Sequence, residues 1–254
     1  MFKAVLDADK IKRWIKIVST IDELMEEACF KITPEEVIYR DVDSARISMI
    51  NVSLGKDYFE LYDFDGDSEL LVCVQSEKLL KYSKALSKAE ELTIEVEEGK
   101  FVLSSSKPIE RKFILPASIE DREISKVPQV DFKASARIVV PTFRDILKES
   151  KTVGETITIH ADNNELSFIS KSEEGFQSIH KLRYPENVEV LEISVEESSV
   201  SIYPVDPLYK IVKEIASISG IVTLEFSTDY PLSLKFDMSE FEYYQFILAP
   251  RGEE

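Results

Sequence analysis

The chain has 254 residues, of which 44% are hydrophobic, and this suffices for two ordinary domains or one large one. Its 31 basic residues against 48 acidic ones give a net charge of −17, which excludes a protein that coats nucleic acid over its whole surface. Any basic binding surface must therefore be local.

The first half of the chain predicts two helices among antiparallel strands. Residues 2–6 alternate like a strand, and Asp7 or Asp9 can cap the helix that follows. Ser76 begins a second helix. Further strands are predicted at residues 28–32, 37–39, 47–52, 70–74, 92–96, 101–103 and 111–115.

The second half repeats this plan. Pro141 suits the first turn of a third helix. A fourth helix is predicted with Leu208 and Ile211 on its inward-facing side. Strands are predicted at residues 137–140, 156–160, 165–169, 222–226, 232–236 and 244–248. Related segments are displaced by roughly 130 residues, as an internal duplication predicts.

The stretch 119–134 lies between the two halves. It is charged at first, then apolar, and Pro128 interrupts it, so we interpret it as a linker between an N-terminal domain, residues 1–118, and a C-terminal domain, residues 135–254. Two helices and many antiparallel strands in each half predict an α+β architecture, with helices covering one side of a curved sheet.

Cysteine usage and apolar runs bear on the compartment. Cys29 and Cys73 each lie in an apolar, strand-like run with no second cysteine nearby, so we expect buried thiols in a reducing compartment. No apolar run approaches the roughly 18 residues of a membrane span, and a signal peptide's basic start and long apolar core are lacking. We expect an intracellular protein with no membrane partner.

All four predicted helices carry a basic stripe beside their apolar one. On a single helix such a stripe is more often a solvated face, but four concordant helices related by a repeat favour one positive surface that contacts phosphates without reading bases. The candidate DNA-binding residues are Lys10, Lys12, Arg13, Lys16, Lys78, Lys81, Lys84, Arg144, Lys148, Lys151, Lys210 and Lys213.

Motifs for catalysis are lacking. His160 and His180 are the only histidines, and neither has the spacing of a metal ligand. The sequence has no glycine-rich phosphate loop, no Gly-x-Ser-x-Gly elbow and no His-Glu-x-x-His. We predict no enzyme, no cofactor and no metal. The alternative of a different class is an acidic two-domain hydrolase whose carboxylates bind a metal.

Six short motifs carry a family resemblance. They are Met1-Phe-Lys-Ala-Val-Leu6, Glu27-Ala-Cys-Phe30, Asp43-Ser-Ala-Arg-Ile-Ser-Met49, Val127-Pro128, Asp229-Tyr-Pro-Leu232 and Leu248-Ala-Pro-Arg251. In this order the chain resembles, over essentially its whole length, the DNA polymerase sliding clamps of archaea and eukaryotes, the proliferating cell nuclear antigen family. A related checkpoint clamp subunit is the second alternative.

The resemblance implies a clamp fold of two topologically equivalent domains, in a ring of three like or unlike subunits. Helices would line the hole around duplex DNA, and antiparallel sheets would form the outside. Its partners would be a clamp loader, DNA polymerase, flap endonuclease and DNA ligase. The protein would be cytoplasmic and nucleoid-associated if archaeal, and nuclear if eukaryotic.

The resemblance also implies two sets of contact residues. The subunit interface would use Arg111, Lys112, Asp145, Glu149, Phe176 and Ile179. Client proteins would insert a short motif beneath the linker, against Val42, Arg46, Ile47, Met49, Ile124, Val127, Pro128, Phe132, Pro231, Ile247, Leu248, Ala249 and Pro250. The residues support the client site independently, because Ile47 and Met49 share one strand face and an apolar tail beside them would leave an exposed hydrophobic patch.

Overall fold

A computed structural model describes residues 1–66 and 69–252, and the chain divides into two compact units. The N-terminal unit comprises Met1–Ser44, Ile50–Lys126 and Ser239–Tyr243. The C-terminal unit comprises Ala45–Met49, Val127–Met238 and residues 244–252. Each unit therefore consists mainly of one half of the chain and includes a short segment of the other half.

The described residues of the first half form two helices and ten strands. The helices are α1 (Ala8–Leu24) and α2 (Ser76–Ala85), and a short 3-10 turn covers Lys56–Tyr58. The strands are β1 (Phe2–Asp7), β2 (Glu27–Ile32), β3 (Glu36–Val42), β4 (Ser48–Gly55), β5 (Leu61–Phe64), β6 (Leu70–Gln75), β7 (Glu91–Glu97), β8 (Lys100–Ser105), β9 (Arg111–Pro116) and β10 (Ser118–Glu120).

The second half contains α3 (Val140–Val153) and α4 (Val205–Ile215). Its strands are β11 (Ala134–Val139), β12 (Thr156–Asp162), β13 (Glu165–Lys171), β14 (Gln177–Arg183), β15 (Val190–Val195), β16 (Ser199–Pro204), β17 (Ile221–Phe226), β18 (Leu232–Phe236) and β19 (Glu242–Leu248). The first residues of the predicted linker thus belong to β10 and its last residue belongs to β11. Residues 121–133 connect these two strands.

The two halves repeat one topology. Each has a strand, a helix, five strands, a second helix and three strands, and β10 follows the first set. The first half has the strand orders β5-β1-β7-β8-β9 and β10-β6-β2-β3-β4, and the second has β15-β11-β17-β18-β19 and β16-β12-β13-β14. Every strand of the second half thus has a positional equivalent in the first, which confirms the predicted duplication.

Local sequence explains the helices. Asp7 caps α1, because its Oδ1 accepts hydrogen bonds from the backbone N–H groups of Asp9 at 2.9 Å and Lys10 at 2.8 Å. Trp14 is buried on the inner face of α1, and its Nε1 donates to Ser83 Oγ of α2 at 3.0 Å. The helix pair is therefore fixed by apolar burial and by one satisfied buried polar contact. No helix within the described residues is both long and apolar enough to cross a membrane.

The expectation of free thiols is wrong. The antiparallel register places Cys29 of β2 directly opposite Cys73 of β6, their Cα atoms lie 4.0 Å apart, and the two residues form a disulfide. They are 44 positions apart, so the pairing depends on strand order and not on sequence proximity. The cysteines consequently give no support for a reducing compartment.

Candidate functional site

The cations of α1 lie close to carboxylates. Lys10 Nζ lies 2.6 Å from Glu60 Oε1 and 3.4 Å from Asp7 Oδ2. Burial alone would lower the pKa of Lys10, but the hydrogen bond to Glu60 and the charge of Asp7 outweigh it and raise the pKa. Lys12 Nζ lies 3.0 Å from Asp9 Oδ1. Lys16 is half-buried on the same helix.

Among the predicted cations, Arg13 has the most deeply buried acidic partner in the described residues. Its Nε donates to Glu242 Oε2 at 2.7 Å, and the Glu242 side chain is fully buried. Tyr58 lies in the same cluster, where burial first and the charge of Glu242 second raise its pKa. The sequence placed Arg13 among the phosphate-facing cations. In the structure its guanidinium pairs with a buried carboxylate of the N-terminal unit, and 23% of the Arg13 side chain is exposed.

On α2 and α3, several cations are not neutralised. Lys81, Lys84 and Lys148 are exposed, and none has an acidic partner within residues 1–66 and 69–252. Two further cations of these helices do have an acidic neighbour in sequence. Lys78 Nζ lies 3.8 Å from Glu77, which is a long ion pair, and Arg144 Nη2 lies 2.8 Å from Asp145. Among the twelve predicted DNA-binding cations, the exposed ones without an acidic partner in the described residues therefore lie on α2 and on the middle of α3.

A shared carboxylate links α3 to α4. Asp206 accepts hydrogen bonds from Lys151, and its Oδ2 lies 3.3 Å from Lys210 Nζ. The hydrogen bond from Lys151 lowers the pKa of Asp206 and outweighs the effect of burial. Lys213 Nζ lies 3.2 Å from Glu214. These predicted DNA-binding lysines thus lie on the helices expected from the sequence, but carboxylates offset their charge.

Four of the predicted interface residues lie at two sheet edges, and Asp145 and Glu149 lie on α3. β9 is the last strand in the order β5-β1-β7-β8-β9, and Lys112 and Ile114 are exposed there. Arg111 instead donates to the main-chain oxygen of Ala85 at 2.8 Å, so it is tied to the end of α2. The ring of Phe113 stacks on Tyr82 of α2 at 4.7 Å.

β14 forms the edge of the order β16-β12-β13-β14. Phe176 immediately before it and Ile179 within it are 66% and 56% exposed, which is unusual for such large apolar side chains on a strand edge. Glu149 of α3 lies 3.6 Å from His180 Nε2 of this strand. Asp145 is exposed on the same helix.

The predicted client-binding residues differ in accessibility. Ile47 is 39% exposed, and its carbonyl accepts a hydrogen bond from Ala249 N at 2.8 Å. Met49, Ile247 and Leu248 are buried, because they lie within β4 and β19 and both strands are buried over these positions. The prediction of one exposed apolar patch is therefore too broad.

The remaining client-site candidates are at least partly accessible. Val42, Ile124, Val127, Phe132, Pro231, Ala249 and Pro250 are half-buried, and Arg46 and Pro128 are exposed. Ile124 packs against Cys29, Leu71 and Cys73. No sequence pattern pointed to Arg122, whose Nη2 lies 3.2 Å from Cys29 Sγ, since only the strand register reveals what this side chain covers.

Comparisons with known proteins identify the family. The N-terminal domain of proliferating cell nuclear antigen matches residues 1–109, and its C-terminal domain matches residues 126–251. The DNA polymerase sliding clamp of Thermofilum pendens is 30% identical over 244 residues, covering 95% of this chain and 96% of that protein. The sliding clamp of Thermococcus sibiricus is also 30% identical, covering 97% of each chain.

Solved structures have the same fold. The crystal structure of PCNA from Thermococcus kodakaraensis superposes with a TM-score of 0.90 at 21% identity, over 99% of this chain and all of that one. A PCNA2–PCNA3 complex from Sulfolobus tokodaii gives 0.87 at 23% identity, over 99% of this chain and 100% of the matched one.

The chain belongs to the proliferating cell nuclear antigen family, and it is a DNA sliding clamp. The predicted family, fold class and function are confirmed, and the hydrolase and checkpoint alternatives are not favoured.

Proposed function

We propose that the chain is one of three clamp subunits in a ring that encircles duplex DNA, tethers replication and repair enzymes, and catalyses no reaction itself. The observation that carries the proposal is that Lys81, Lys84 and Lys148, on the predicted DNA-facing stripes of α2 and α3, are exposed without an acidic partner in the described residues, in a chain whose net charge is −17. A ring needs little intrinsic affinity for DNA, because encirclement retains the protein and weak, salt-screened phosphate contacts permit sliding.

Within the proposed ring, the twelve predicted cations contribute unequally. Lys81, Lys84 and Lys148 are exposed without an acidic partner, so each can contact a phosphate without giving up an existing ion pair. Lys10, Lys12, Lys151 and Lys210 would have to exchange a carboxylate for a phosphate. Arg13 would have to leave Glu242 buried and unpaired, which is strongly unfavourable.

The proposed subunit contact is head-to-tail, between β9 of one subunit and β14 of the next. Both are edge strands with exposed apolar residues, namely Ile114 on β9 and Ile179 on β14, with Phe176 beside it. Two different complementary surfaces generate a closed ring when the rotation closes, and pairing would cover edges that otherwise invite aggregation. Lys112, Asp145 and Glu149 would form rim ion pairs that help to select the partner.

The proposed client site is centred on Ile47, with Pro231, Ala249, Pro250 and the linker residues 127–132, all of the C-terminal unit. An extended client segment can add main-chain hydrogen bonds along such a linker, since the main chain of residues 121–132 makes none within the described part of the chain. Clamp loader, polymerase, flap endonuclease and ligase are the proposed clients. The protein would act in the compartment that contains the chromosome.

The testing experiment compares two double charge reversals. Lys81→Glu with Lys84→Glu removes two uncompensated cations from α2. Lys100→Glu with Lys107→Glu makes the same charge change at two other lysines that lack an acidic partner among the described residues. Clamp-dependent product length should fall several-fold for the first pair only, with the oligomer mass unchanged in both. Equal product lengths would refute the assignment of α2 to DNA.

A further inference from the structure

The disulfide lies on the face of its sheet that turns away from α1. In β2, the side chains of Ala28 and Phe30 lie on one face of the sheet and that of Cys29 lies on the other. The ring of Phe30 lies 5.5 Å from that of Trp14 on α1. Cys29 therefore points to the opposite face. Both cysteines are nevertheless only 3% exposed, so other side chains must cover them.

Two residues that follow β10 provide this cover. Ile124 packs on the cluster of Cys29, Leu71 and Cys73, and the Arg122 guanidinium lies 3.2 Å from Cys29 Sγ and 4.0 Å from Cys73 Sγ. The chain reaches this position because β10 pairs with β6, which places Ser118 beside Cys73. The start of the linker thus lies over the disulfide.

The linker has few other attachments to its unit. Within the described part of the chain, the main chain of residues 121–132 donates and accepts no hydrogen bond. The other side-chain ion pairs of this stretch, Lys126 with Glu123 and Asp131 with Lys133, join near neighbours in sequence. Arg122 and Ile124 are therefore the residues that hold its first part to the N-terminal unit.

One of the two cysteines borders a cavity. A cavity of about 680 Å³ in the N-terminal unit is lined by Cys29 but not by Cys73, and Arg122 stands at its wall. The carboxylates of Asp22, Glu26, Glu27, Asp41 and Glu77 also line it. A small reductant can thus approach Cys29 Sγ, and the negative lining favours a neutral molecule over an anionic one.

We propose that the Cys29–Cys73 disulfide is a reversible redox site that anchors the first part of the linker, and that a neutral dithiol reduces it through this cavity. While the disulfide is intact, the two sulfurs form one fixed surface under Arg122 and Ile124. After reduction, two separate thiols occupy more space and move apart. The surface under the two anchoring residues changes, and the linker loosens.

Reduction of the disulfide takes two thiol–disulfide exchange steps. A thiolate of the dithiol attacks Cys29 Sγ, the Cys29–Cys73 bond breaks, and its electron pair leaves on Cys73 Sγ, which takes up a proton. The second thiol, as thiolate, attacks the reductant's own sulfur in the mixed disulfide, and Cys29 leaves as a thiolate that is then protonated. Arg122 favours this departure, because a nearby cation stabilises a thiolate. The protein gains two electrons and two protons, and the dithiol becomes a cyclic disulfide.

The anchor is tested by limited trypsin digestion of the full chain without DNA or client, so that its failure leaves the proposed clamp function standing. Cleavage after Lys126 is compared with cleavage after Lys100 in the same sample. Dithiothreitol should raise the ratio at least fivefold, and reoxidation should restore it. An unchanged ratio, or intact-mass alkylation that finds two free thiols even after oxidation, would overturn the proposal.

Variants separate anchoring from folding. Arg122→Gln with Ile124→Ala keeps both cysteines. In this variant the ratio of cleavage after Lys126 to cleavage after Lys100 should be as high in the oxidised protein as in the reduced one. Cys29→Ser with Cys73→Ser should give a ratio that dithiothreitol does not change, and the first variant decides the matter if this one fails to fold. Dimercaptosuccinate, an anionic dithiol, should reduce the protein at least tenfold more slowly than dithiothreitol, with a smaller gap at high salt. Equal rates for the two reductants would refute access through the acidic cavity.

Discussion

Arg13 and Glu242 form an ion pair across 229 positions of sequence, with Arg13 Nε 2.7 Å from a carboxylate that is completely buried. Ser239 Oγ also donates to Glu242 Oε2 at 3.1 Å. A buried carboxylate without its cation is costly, because the desolvation of the charge is no longer compensated. This pair therefore fixes the segment Ser239–Tyr243 within the N-terminal unit.

The first prediction follows from that burial. Arg13→Ala should lower the free energy of unfolding by about 3 kcal/mol, since it leaves Glu242 unpaired. Lys12→Ala, one residue away, breaks only the exposed pair with Asp9 and should cost less than about 1 kcal/mol. Urea denaturation of both variants gives the comparison. Similar losses in the two would show that the buried pair contributes no more than a surface one.

The sequence predicted local features of the fold and missed pairings between distant segments. The cap at Asp7 or Asp9, the placing of Pro141 in the first turn of α3 and the alternating strands depend on neighbouring residues, so propensity and periodicity were enough. The Cys29–Cys73 bond and the Arg13–Glu242 pair depend on which strands are adjacent, and residue spacing carries no such information.

The candidate site shows the same division. Helical spacing correctly placed the lysines on the four helices, but it could not indicate that Asp206 neutralises Lys151 and Lys210. Alternation likewise suggested a shared exposed face for Ile47 and Met49. Ile47 precedes β4, whereas Met49 is buried within it, so only one of the two is accessible.

The second prediction concerns the disulfide's effect on global stability. A cross-link between residues 44 positions apart restricts the unfolded chain and, on the entropic account, contributes about 4 kcal/mol. Guanidinium denaturation of oxidised protein against protein with both thiols alkylated after reduction should therefore show a much lower midpoint for the latter. The Cys29→Ser, Cys73→Ser variant controls for the added alkyl groups. Equal midpoints for oxidised protein and this variant would contradict the expected contribution.

A third prediction concerns pH. The hydrogen bond from Lys181 on β14 lowers the pKa of Glu165 on β13 from 4.5 to about 2. Because the folded-state pKa is depressed, this contribution to stability is present above about pH 4.5 and is lost as the pH falls towards 2. Glu165→Gln should therefore reduce the fall of the melting temperature with pH over that range, measured by circular dichroism at low salt. Glu174→Gln, at an exposed turn position, should leave the profile unchanged, and a profile unaltered in both would refute the role of Glu165.

The fourth prediction tests the proposed head-to-tail contact. Ile114→Glu places a charge on the exposed face of β9, and Ile179→Glu does the same on β14, so each variant should lose one of the two edges that a ring subunit needs. Light scattering at low protein concentration, alone and with any sister subunits, should give a smaller mass for each variant than for the unmodified chain. Leu191→Glu, at a side chain 42% exposed on β15, is the control and should leave the mass unaltered.

Mixing the two edge variants sharpens this test. The Ile114→Glu chain keeps an intact β14, and the Ile179→Glu chain keeps an intact β9, so one good contact can form between them and no second one. Where copies of this chain pair directly, the mixture should stop at a dimer, and each variant alone should be monomeric. A trimer from either variant alone would show that β9 and β14 do not form the contact. A mixture that stays monomeric while the unmodified chain forms a trimer would refute the pairing of these two edges.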